Sequence, residues 1–441
     1  MPMLSRDHFK NKRIAVIGLG AEGNMISDIK YLLKAGALVS VYDIRSEARL
    51  KSELDLLRAS GLASHVCGSV PEEDLLDMDL IILSHEYSRD SSFLKKADMA
   101  GKSIEYPETF FFKQAPPIML IGIMGVCGKS TTLSMIVPLL EKVFDNEDQS
   151  LFVIDPDSKD GVFSSLKKIK SGDVVVSRLT DQLVKELYNL RISPHVAVFT
   201  SIPSHAAYRD SPFEILSYQT YNNFVVAQDD VVDKTHIFNF QPKAKMLRTK
   251  SSIVPDTWEF AGRGLHDKDN AALAIQVAQL FKLDNDIIQD VMESWKPLKG
   301  RLEMIKRVKQ VEFYNDSASI TPFSTQAGLQ AISNDQNVIL ILGGVDGGYD
   351  YRTLFGTLPQ YLKTLILVPG SGTLKERLTL RGVDKIEVLA ADSVESAVNM
   401  AMDHAARGYK VLFSPGFGAG GFDQSRKERG DRFMKAVRVL K

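Results

Sequence analysis

The sequence has little cysteine, no long apolar run and no excess of charge of either sign. Only Cys67 and Cys127 occur among 441 residues, which excludes a disulfide framework and a cysteine-rich zinc site. No stretch approaches the roughly 20 apolar residues that cross a bilayer, and the N-terminal segment is too polar for a signal peptide. We therefore expect a cytoplasmic protein without membrane insertion. Lys and Arg number 54 against 55 Asp and Glu, and no long basic block occurs, so no nucleic-acid partner is expected.

Apolar runs that alternate with helical patterns predict an α/β protein of three domains. We predict a Rossmann-like N-terminal domain over residues 1–113, a central P-loop ATPase domain with a parallel sheet over 114–298, and a Rossmann-like α/β C-terminal domain over 299–441. The paired prolines of Gln114–Pro117 mark the first boundary. The predicted strands are 13–20, 37–43, 80–84, 103–105, 118–121, 151–154, 173–177, 195–200, 311–314, 337–342, 364–368 and 410–414.

The segment Ile121–Thr132 predicts a binding site for the phosphates of ATP or GTP. Gly125 and Gly128 allow successive backbone N–H groups to face an anion, and Lys129 can reach the β- and γ-phosphates. Ser130 can hold Mg²⁺ at the start of the helix that follows. The match is to the short form G-x-x-G-K-S-T, because position 123 is not glycine.

A second glycine pattern, G-x-G-x-x-G, follows the first predicted strand. Gly18, Gly20 and Gly23 form it, and Asp43 follows about 20 residues later at the end of the second strand. This pattern predicts a βαβ unit that binds a pyrophosphate or a nucleotide-like group. An NAD-dependent oxidoreductase is an alternative interpretation, but it leaves Lys129 unexplained.

Taken in order, these segments resemble the Mur ligases of peptidoglycan synthesis over nearly the whole chain. The phosphate loop is similar to the family's G-x-x-G-K-S-T, and Leu265–Asn270 is similar to its H-N-x-x-N. The other similar segments are 297–303, 314–322 with its Asn-Asp-Ser, 342–346, 350–351, 414–416 and 428–430.

The resemblance implies an enzyme that transfers the γ-phosphoryl group of ATP to a carboxylate and lets an amine attack the resulting acyl phosphate. The implied cofactors are ATP and Mg²⁺. The implied substrates are UDP-N-acetylmuramoyl-L-alanine, held by the N-terminal domain, and an amino acid, which we expect to be glutamate. The resemblance also implies a monomer whose outer domain closes over the nucleotide.

The phosphate-loop pattern and the resemblance together assign candidate site residues. The catalytic candidates are Lys129, His205 and Arg301. The ATP-binding candidates are Gly125, Gly128, Lys129, Ser130, Thr131, Asn270, Arg301 and Asp316. The candidates for the UDP substrate are Gly18, Gly20, Asp43 and Arg45. Thr321 and Ser414 are candidates for the amino acid, and Ser130 and His205 for the metal.

The likeness fails at the metal site. The family's acidic Mg²⁺ ligand falls at Ser177, its carbamylated lysine falls at or near Asn222, and His205 lacks the family's acidic neighbours. Asp181 or Glu214 could substitute for the missing acidic ligands. Because Mg²⁺ favours anionic oxygen ligands, we expect weaker metal binding. A second hypothesis is therefore a non-catalytic or regulatory relative that binds UDP-sugar and nucleotide without turnover.

The likeness also fails at the amino-acid site, where lysines of many relatives are missing. Arg426, Lys427 or Arg429 could replace them, although each is by default a solvated charge on a helix. The sequence therefore leaves the identity and the enantiomer of the amino acid open.

Overall fold

A computed structural model of the chain describes residues 8–144, 149–202, 213–233, 241–381, 383, 385–419 and 425–441. The strands form three largely parallel sheets, which confirms the predicted α/β class with three sheet regions. The chain separates into two compact units, one of Met1–Thr249 with Leu273–Leu283 and one of Lys250–Ala272 with Asp284–Lys441. The boundaries at 113 and 298 remain a prediction. No helix in the described ranges is both long and apolar enough to cross a membrane.

The first sheet is parallel, with strand order β3-β2-β1-β4-β5. Its strands are β1 Arg13–Ile17, β2 Leu38–Asp43, β3 Ser64–Cys67, β4 Leu80–Leu83 and β5 Ile104–Glu105. The helices around it are α1 Ile26–Lys34, α2 Lys51–Arg58, α3 Glu72–Leu76, α4 Lys95–Met99 and α5 Pro107–Gln114. Residues 14–17 and 80–83 are all buried, as expected of central strands covered on both faces.

The second sheet, also parallel, has the order β11-β10-β9-β6-β8-β7. Its strands are β6 Met119–Met124, β7 Leu151–Ile154, β8 Val174–Arg178, β9 Val196–Phe199, β10 Phe224–Gln228 and β11 Lys245–Thr249. The helices here and in the stretch that follows are α6 Lys129–Phe144, α7 Asp181–Asn189, α8 Asp229–Asp233, α9 Leu265–Leu280 and α10 Asn285–Ser294. Because β6 lies between β9 and β8, the loop after β6 is at the middle of the carboxyl edge, where ligands of such sheets bind.

The third sheet has the order β12-β13-β17-β14-β15-β16, with β12 antiparallel to β13. Its strands are β12 Glu303–Val308, β13 Val311–Asn315, β14 Val338–Leu342, β15 Leu362–Leu367, β16 Glu387–Ala390 and β17 Lys410–Phe413. Its helices are α11 Pro322–Ile332, α12 Arg352–Thr357, α13 Ser371–Arg381, α14 Val394–His404 and α15 Arg426–Val439. Leu340 and Leu342 belong to one apolar core and Ile339 and Ile341 to another, so this sheet is covered on both faces.

The sequence did not predict strands β3, β10, β11, β12 and β16. The third sheet consequently begins with the antiparallel strand β12, whereas the prediction began it at residue 311. Apart from β10, these strands include exposed residues, so they lack the continuous apolar run by which a buried strand is recognised.

The first two sheets belong to one compact unit and share contacts within it. Asp28 of α1 accepts hydrogen bonds from the backbone N–H groups of Val162 (2.7 Å) and Phe163 (2.8 Å). The ring of Phe163 packs against those of Phe9 and Phe110. These contacts set the segment after β7 beside the loops of the first sheet.

Candidate active site

The phosphate loop connects the end of β6 with the start of α6. Gly125 has φ 133° and Gly128 has φ 88°, in the region that favours glycine. A Cβ at Gly125 would lie 2.4 Å from Thr200 Oγ1. Glycine is therefore required at position 125 by conformation and by space.

The loop is fixed to the end of the neighbouring strand β9. The Cys127 N–H donates to Ser201 Oγ (3.1 Å), and the Thr200 hydroxyl donates to the Cys127 carbonyl (2.5 Å). These bonds hold the backbone in place before any ligand arrives, which is the arrangement expected of a preorganised anion site.

Lys129 folds back over this loop. Its ammonium group donates to the carbonyls of Gly125 and Val126. Burial lowers the pKa of Lys129; the charge of Asp181 opposes this shift and that of Arg178 adds to it. Lys129 therefore places its ammonium group at the loop, where a bound phosphate would stabilise the positive charge.

Arg178, which the sequence analysis did not single out, lies at the end of β8 next to the phosphate-loop strand. Its Cα pairs with that of Ile123, and its side chain is 7% exposed. The guanidinium donates to Asp155 (2.5 Å) and forms an ion pair with Asp157 (2.9 Å). The only feature of the sequence that indicated a role for Arg178 was its position at the end of an apolar run, and no motif includes that strand.

The positions expected to bind metal do not form an acidic site in the described part of the chain. Ser177 is fully buried, and its hydroxyl has no hydrogen-bond partner among the described residues. Asn222 is exposed in a turn, and His205 lies outside the described residues. Within the described ranges no three His, Cys, Asp or Glu side chains come close enough together to hold a metal ion. Of the predicted metal ligands, only the Ser130 hydroxyl is therefore placed.

The candidates for the UDP substrate meet at the carboxyl edge of the first sheet. Gly18 and Gly20 have φ 83° and 81°. Asp43 is fully buried and accepts from the Leu19 N–H (3.0 Å) and from the Arg45 side chain (2.6 Å). Burial raises the pKa of Asp43, but the hydrogen bonds from Arg45 and Leu19 outweigh it, so the pKa is lowered overall. Asp43 thus acts as a fixed anion that positions Arg45.

A cavity of about 210 Å³ opens between the loops of the first sheet and the segment after β7. Gly20, Asn24 and His85 are among its lining residues. His85 Nε2 lies 2.8 Å from Glu108, and its ring stacks on Tyr106. His85 Nδ1 and Asn24 Oδ1 are buried and lack hydrogen-bond partners in the described structure.

The remaining nucleotide candidates belong to the second compact unit. Burial lowers the pKa of His266 and raises that of Asp316 to about 6, and the nearby charge of Arg301 lowers both pKa values to a smaller extent. Asn270, on α9, is buried. Asp316 is also buried, and it accepts from the Leu302 N–H (3.2 Å). Asp316 therefore fixes the backbone immediately after Arg301, a role that the motif alone did not indicate.

The two amino-acid candidates are both buried. Thr321 caps the N-terminus of α11, where its hydroxyl accepts from the Ser324 N–H. The Ser414 hydroxyl donates to Asp316 (2.7 Å) and lies 3.0 Å from Thr325 Oγ1. Arg429 is 1% exposed and donates to backbone carbonyls, so the interpretation of this residue as a solvated charge is wrong.

Comparisons with known proteins match the whole chain. Residues 12–105 match the family model for the N-terminal domain of MurD-like Mur ligases. The chain is 28% identical to the UDP-N-acetylmuramoylalanine–D-glutamate ligase of Clostridioides difficile, with 98% of this chain and 99% of the relative covered. It is 29% identical to the enzyme of that name from Streptococcus thermophilus, with full coverage of both chains.

Solved structures with the same fold have lower sequence identity. The MurC ligase of Thermotoga maritima gives a TM-score of 0.62 at 15% identity and covers 98% of this chain and all of its own. The MurF ligase of the same organism, solved with ADP, gives 0.55 at 16% identity, with 99% and 97% covered.

Proposed function

We propose that this chain is a Mur ligase that joins glutamate to UDP-N-acetylmuramoyl-L-alanine in an ATP-dependent reaction of peptidoglycan precursor synthesis. The observation that carries the proposal is the phosphate loop over residues 125–131, with the half-buried Lys129 hydrogen-bonded to its backbone. The names and full-length coverage of the relatives support the same reaction. We expect this activity in the cytoplasm, and we expect a monomer of 49.0 kDa.

In this proposal a carboxylate oxygen of the substrate attacks the γ-phosphorus of ATP, and the bond to the β,γ-bridging oxygen breaks to release ADP. The amine of the amino acid then attacks the acyl carbon, the bond from that carbon to the phosphate oxygen breaks to release inorganic phosphate, and the nitrogen loses a proton to give the amide. Lys129 and the loop N–H groups stabilise charge on the phosphates. We assign the base and the ribose to the surroundings of Asn270 and Arg301. Asp316, which accepts from the Ser414 hydroxyl, holds the backbone next to Arg301 through the Leu302 N–H.

We propose that the cavity beside Gly20 holds part of the UDP-sugar. The loops after β1 and β4 supply backbone N–H groups, and Arg45 lies beside the cavity, where its guanidinium donates to the carbonyl of the lining residue Gly20 (3.3 Å). The unpaired buried atoms of Asn24 and His85 would gain partners from a sugar carrying hydroxyl and amide groups. At about 210 Å³ the cavity is too small for the whole substrate.

The residues in the described part of the chain do not fit a Mg²⁺ ion held by protein carboxylates. Ser177 offers a neutral hydroxyl, and its neighbour Arg178 places a cation there. We therefore propose that any Mg²⁺ arrives on the phosphates of ATP, with Ser130 as its protein ligand, and we assign no step of the reaction to it.

The test is to incubate the protein with ATP, Mg²⁺, UDP-N-acetylmuramoyl-L-alanine and a panel of amino acids headed by D-glutamate and L-glutamate. ADP is measured together with the mass of the product. The proposal requires ADP release that depends on the amino acid, and a product heavier by one amino-acid residue. The panel also identifies the amino acid and its enantiomer, and light scattering checks the monomer.

The absence of an acidic metal cluster in the described ranges favours a second candidate, a relative that binds nucleotide and UDP-sugar without turnover. This candidate is preferred if both ligands bind and no amino acid in the panel produces ADP.

A further inference from the structure

Arg178 combines a buried position with a place beside the phosphate loop. Strand β8 pairs with β6 up to Arg178 and Ile123, two residues before Gly125. The Leu179 N–H continues the pairing by donating to the Ile123 carbonyl (2.8 Å). The backbone of Arg178 is therefore held by the central strands of the sheet.

The side chain of Arg178 is held by two carboxylates that differ in exposure. Asp155 is 18% exposed, whereas Asp157 is 45% exposed. The more exposed pair is the weaker one, because solvent screens it and its side chain must be ordered. The guanidinium can thus exchange Asp157 for another anion while it keeps Asp155.

A phosphate bound at the loop would interact favourably with the positive charge of Arg178. Arg178 ends β8 and Lys129 begins α6 after the paired strand β6, so both cations lie at the carboxyl edge of the same sheet and repel each other. An anion bound at the loop would relieve this repulsion, and a guanidinium can donate two parallel hydrogen bonds to phosphate oxygens. Ser177 adds no negative charge next to it.

We propose that Arg178 binds the phosphates of the nucleotide and supplies positive charge that a protein-held divalent cation would otherwise supply. This inference rests on the proposed function, since it requires a nucleotide at the loop. On binding, the guanidinium leaves Asp157 and turns toward the phosphates. Nucleotide binding therefore has a component that does not need metal.

The experiment measures ADP binding to the full chain by calorimetry, once in excess EDTA and once in excess Mg²⁺. The wild-type protein is expected to keep ADP binding in EDTA. Arg178→Gln should weaken binding in EDTA by about tenfold to a hundredfold, the loss expected when a charged hydrogen-bonding group is removed. Arg178→Lys keeps the charge but lacks the planar guanidinium, so its affinity for ADP in EDTA should lie between those of wild type and Arg178→Gln.

Two variants of the loop after β7 provide the matched comparison. Asp157→Asn removes the competing carboxylate and should tighten ADP binding in EDTA several-fold. Asp160 is exposed in the same loop and pairs with the Ser158 hydroxyl, so Asp160→Asn should leave binding unchanged. A tightening with Asp157→Asn that Asp160→Asn does not show supports a guanidinium that turns from Asp157 to the ligand.

Binding in Mg²⁺ with none in EDTA would overturn the role of Arg178 and leave the proposed nucleotide site standing. Equal ADP affinity of wild type and Arg178→Gln in EDTA would overturn it as well. If ADP binds under neither condition, the proposed function fails together with this inference. Thermal unfolding checks each variant; should Arg178→Gln not fold, the wild-type and Asp157→Asn measurements decide.

Discussion

At the scale of single residues, Lys129 carries the charge on which the proposed phosphoryl transfer depends. Lys129→Ala should lower amino-acid-dependent ADP release by about a hundredfold or more, because it removes the cation of the loop from the developing phosphate charge. Affinity for the UDP-sugar should stay near the wild-type value. Lys142→Ala is the matched control, since Lys142 is exposed on the same helix. Wild-type turnover in Lys129→Ala would refute the assignment.

Asp28 should make stability depend on pH. Burial raises its pKa to about 7, the charge of Glu108 adds to this, and the hydrogen bonds from Phe163 and Val162 oppose it. Because the folded pKa lies above the unfolded value of 3.8, ionisation destabilises the fold. This cost is absent below the unfolded pKa, grows as pH rises from about 4 to 7, and is complete above the folded pKa.

Asp28→Asn keeps an oxygen acceptor for both N–H groups and removes the ionisation. Its free energy of unfolding should exceed that of wild type by a margin that widens to a few kcal/mol between about pH 4 and 7. Chemical denaturation over this pH range measures the margin. Asp160→Asn, a change at an exposed residue, should show no such trend. A margin for Asp28→Asn that does not vary with pH would contradict the prediction.

The sequence predicted the role of a residue where a local motif defines that role. It did not predict roles that depend on contact with a distant segment of the chain. Lys129 lies where its motif predicts, beside glycines 125 and 128. Arg178 and Asp28 were missed because their partners come from the segment after β7. Arg429 was misread because helix residues with charge are usually solvated, whereas this one donates to carbonyls of another loop.

At the scale of elements, the phosphate loop depends on the space beside Gly125 as well as on its φ. Gly125→Ala would place a Cβ 2.4 Å from Thr200 Oγ1 and 2.8 Å from the Ser201 nitrogen. Gly172→Ala is the control: Gly172 has φ 92°, yet a Cβ there meets nothing within 4 Å. Both variants bear the cost of a positive φ, about 1–2 kcal/mol.

The difference between the two variants measures the collision together with the larger φ at Gly125, 133° against 92° at Gly172. Gly125→Ala should lose about 1–3 kcal/mol more stability than Gly172→Ala, because overpacking displaces the loop from β9. It should also lose ADP binding, which Gly172→Ala should keep. Denaturant titration and calorimetry measure the two effects. Equal behaviour of the two variants would mean that the loop tolerates a methyl group at position 125.

The strands that were not predicted show which strands a hydrophobic pattern cannot identify. Central strands such as β4 and β14 are buried at every position and read as short apolar runs. Strand β3 is Ser-His-Val-Cys, and it is an edge strand with no fully buried residue. A strand of this kind is held by backbone pairing to its neighbour, which side-chain periodicity does not encode.

At the scale of the whole molecule, the alternation of strands and helices predicted three sheets, but not which segments pack together. Residues 273–283 belong to the first compact unit, although the stretches on both sides of them belong to the second. Local periodicity reports which face of an element is apolar. It does not report which distant segment covers that face, so this grouping could not be predicted.

Ligand-induced stabilisation of the whole chain should separate the two proposed ligands. A ligand at a hundredfold excess over its Kd stabilises the folded state by about 2.7 kcal/mol, so ADP and a UDP-sugar should each raise the melting temperature of wild type by a few degrees. Lys129→Ala should lose only the shift caused by ADP. Arg45→Ala removes the cation that Asp43 positions, so it should lose only the shift caused by the UDP-sugar.

Scanning calorimetry with each ligand and with both measures these shifts, relative to each variant's own ligand-free melting temperature. That reference matters because Arg45→Ala also leaves the buried Asp43 carboxylate without its ion pair, which lowers stability before any ligand is added. If either variant lost both shifts although it folds, the two ligands would share one site. The assignment of phosphate binding to the second sheet and of UDP binding to the first would then be wrong.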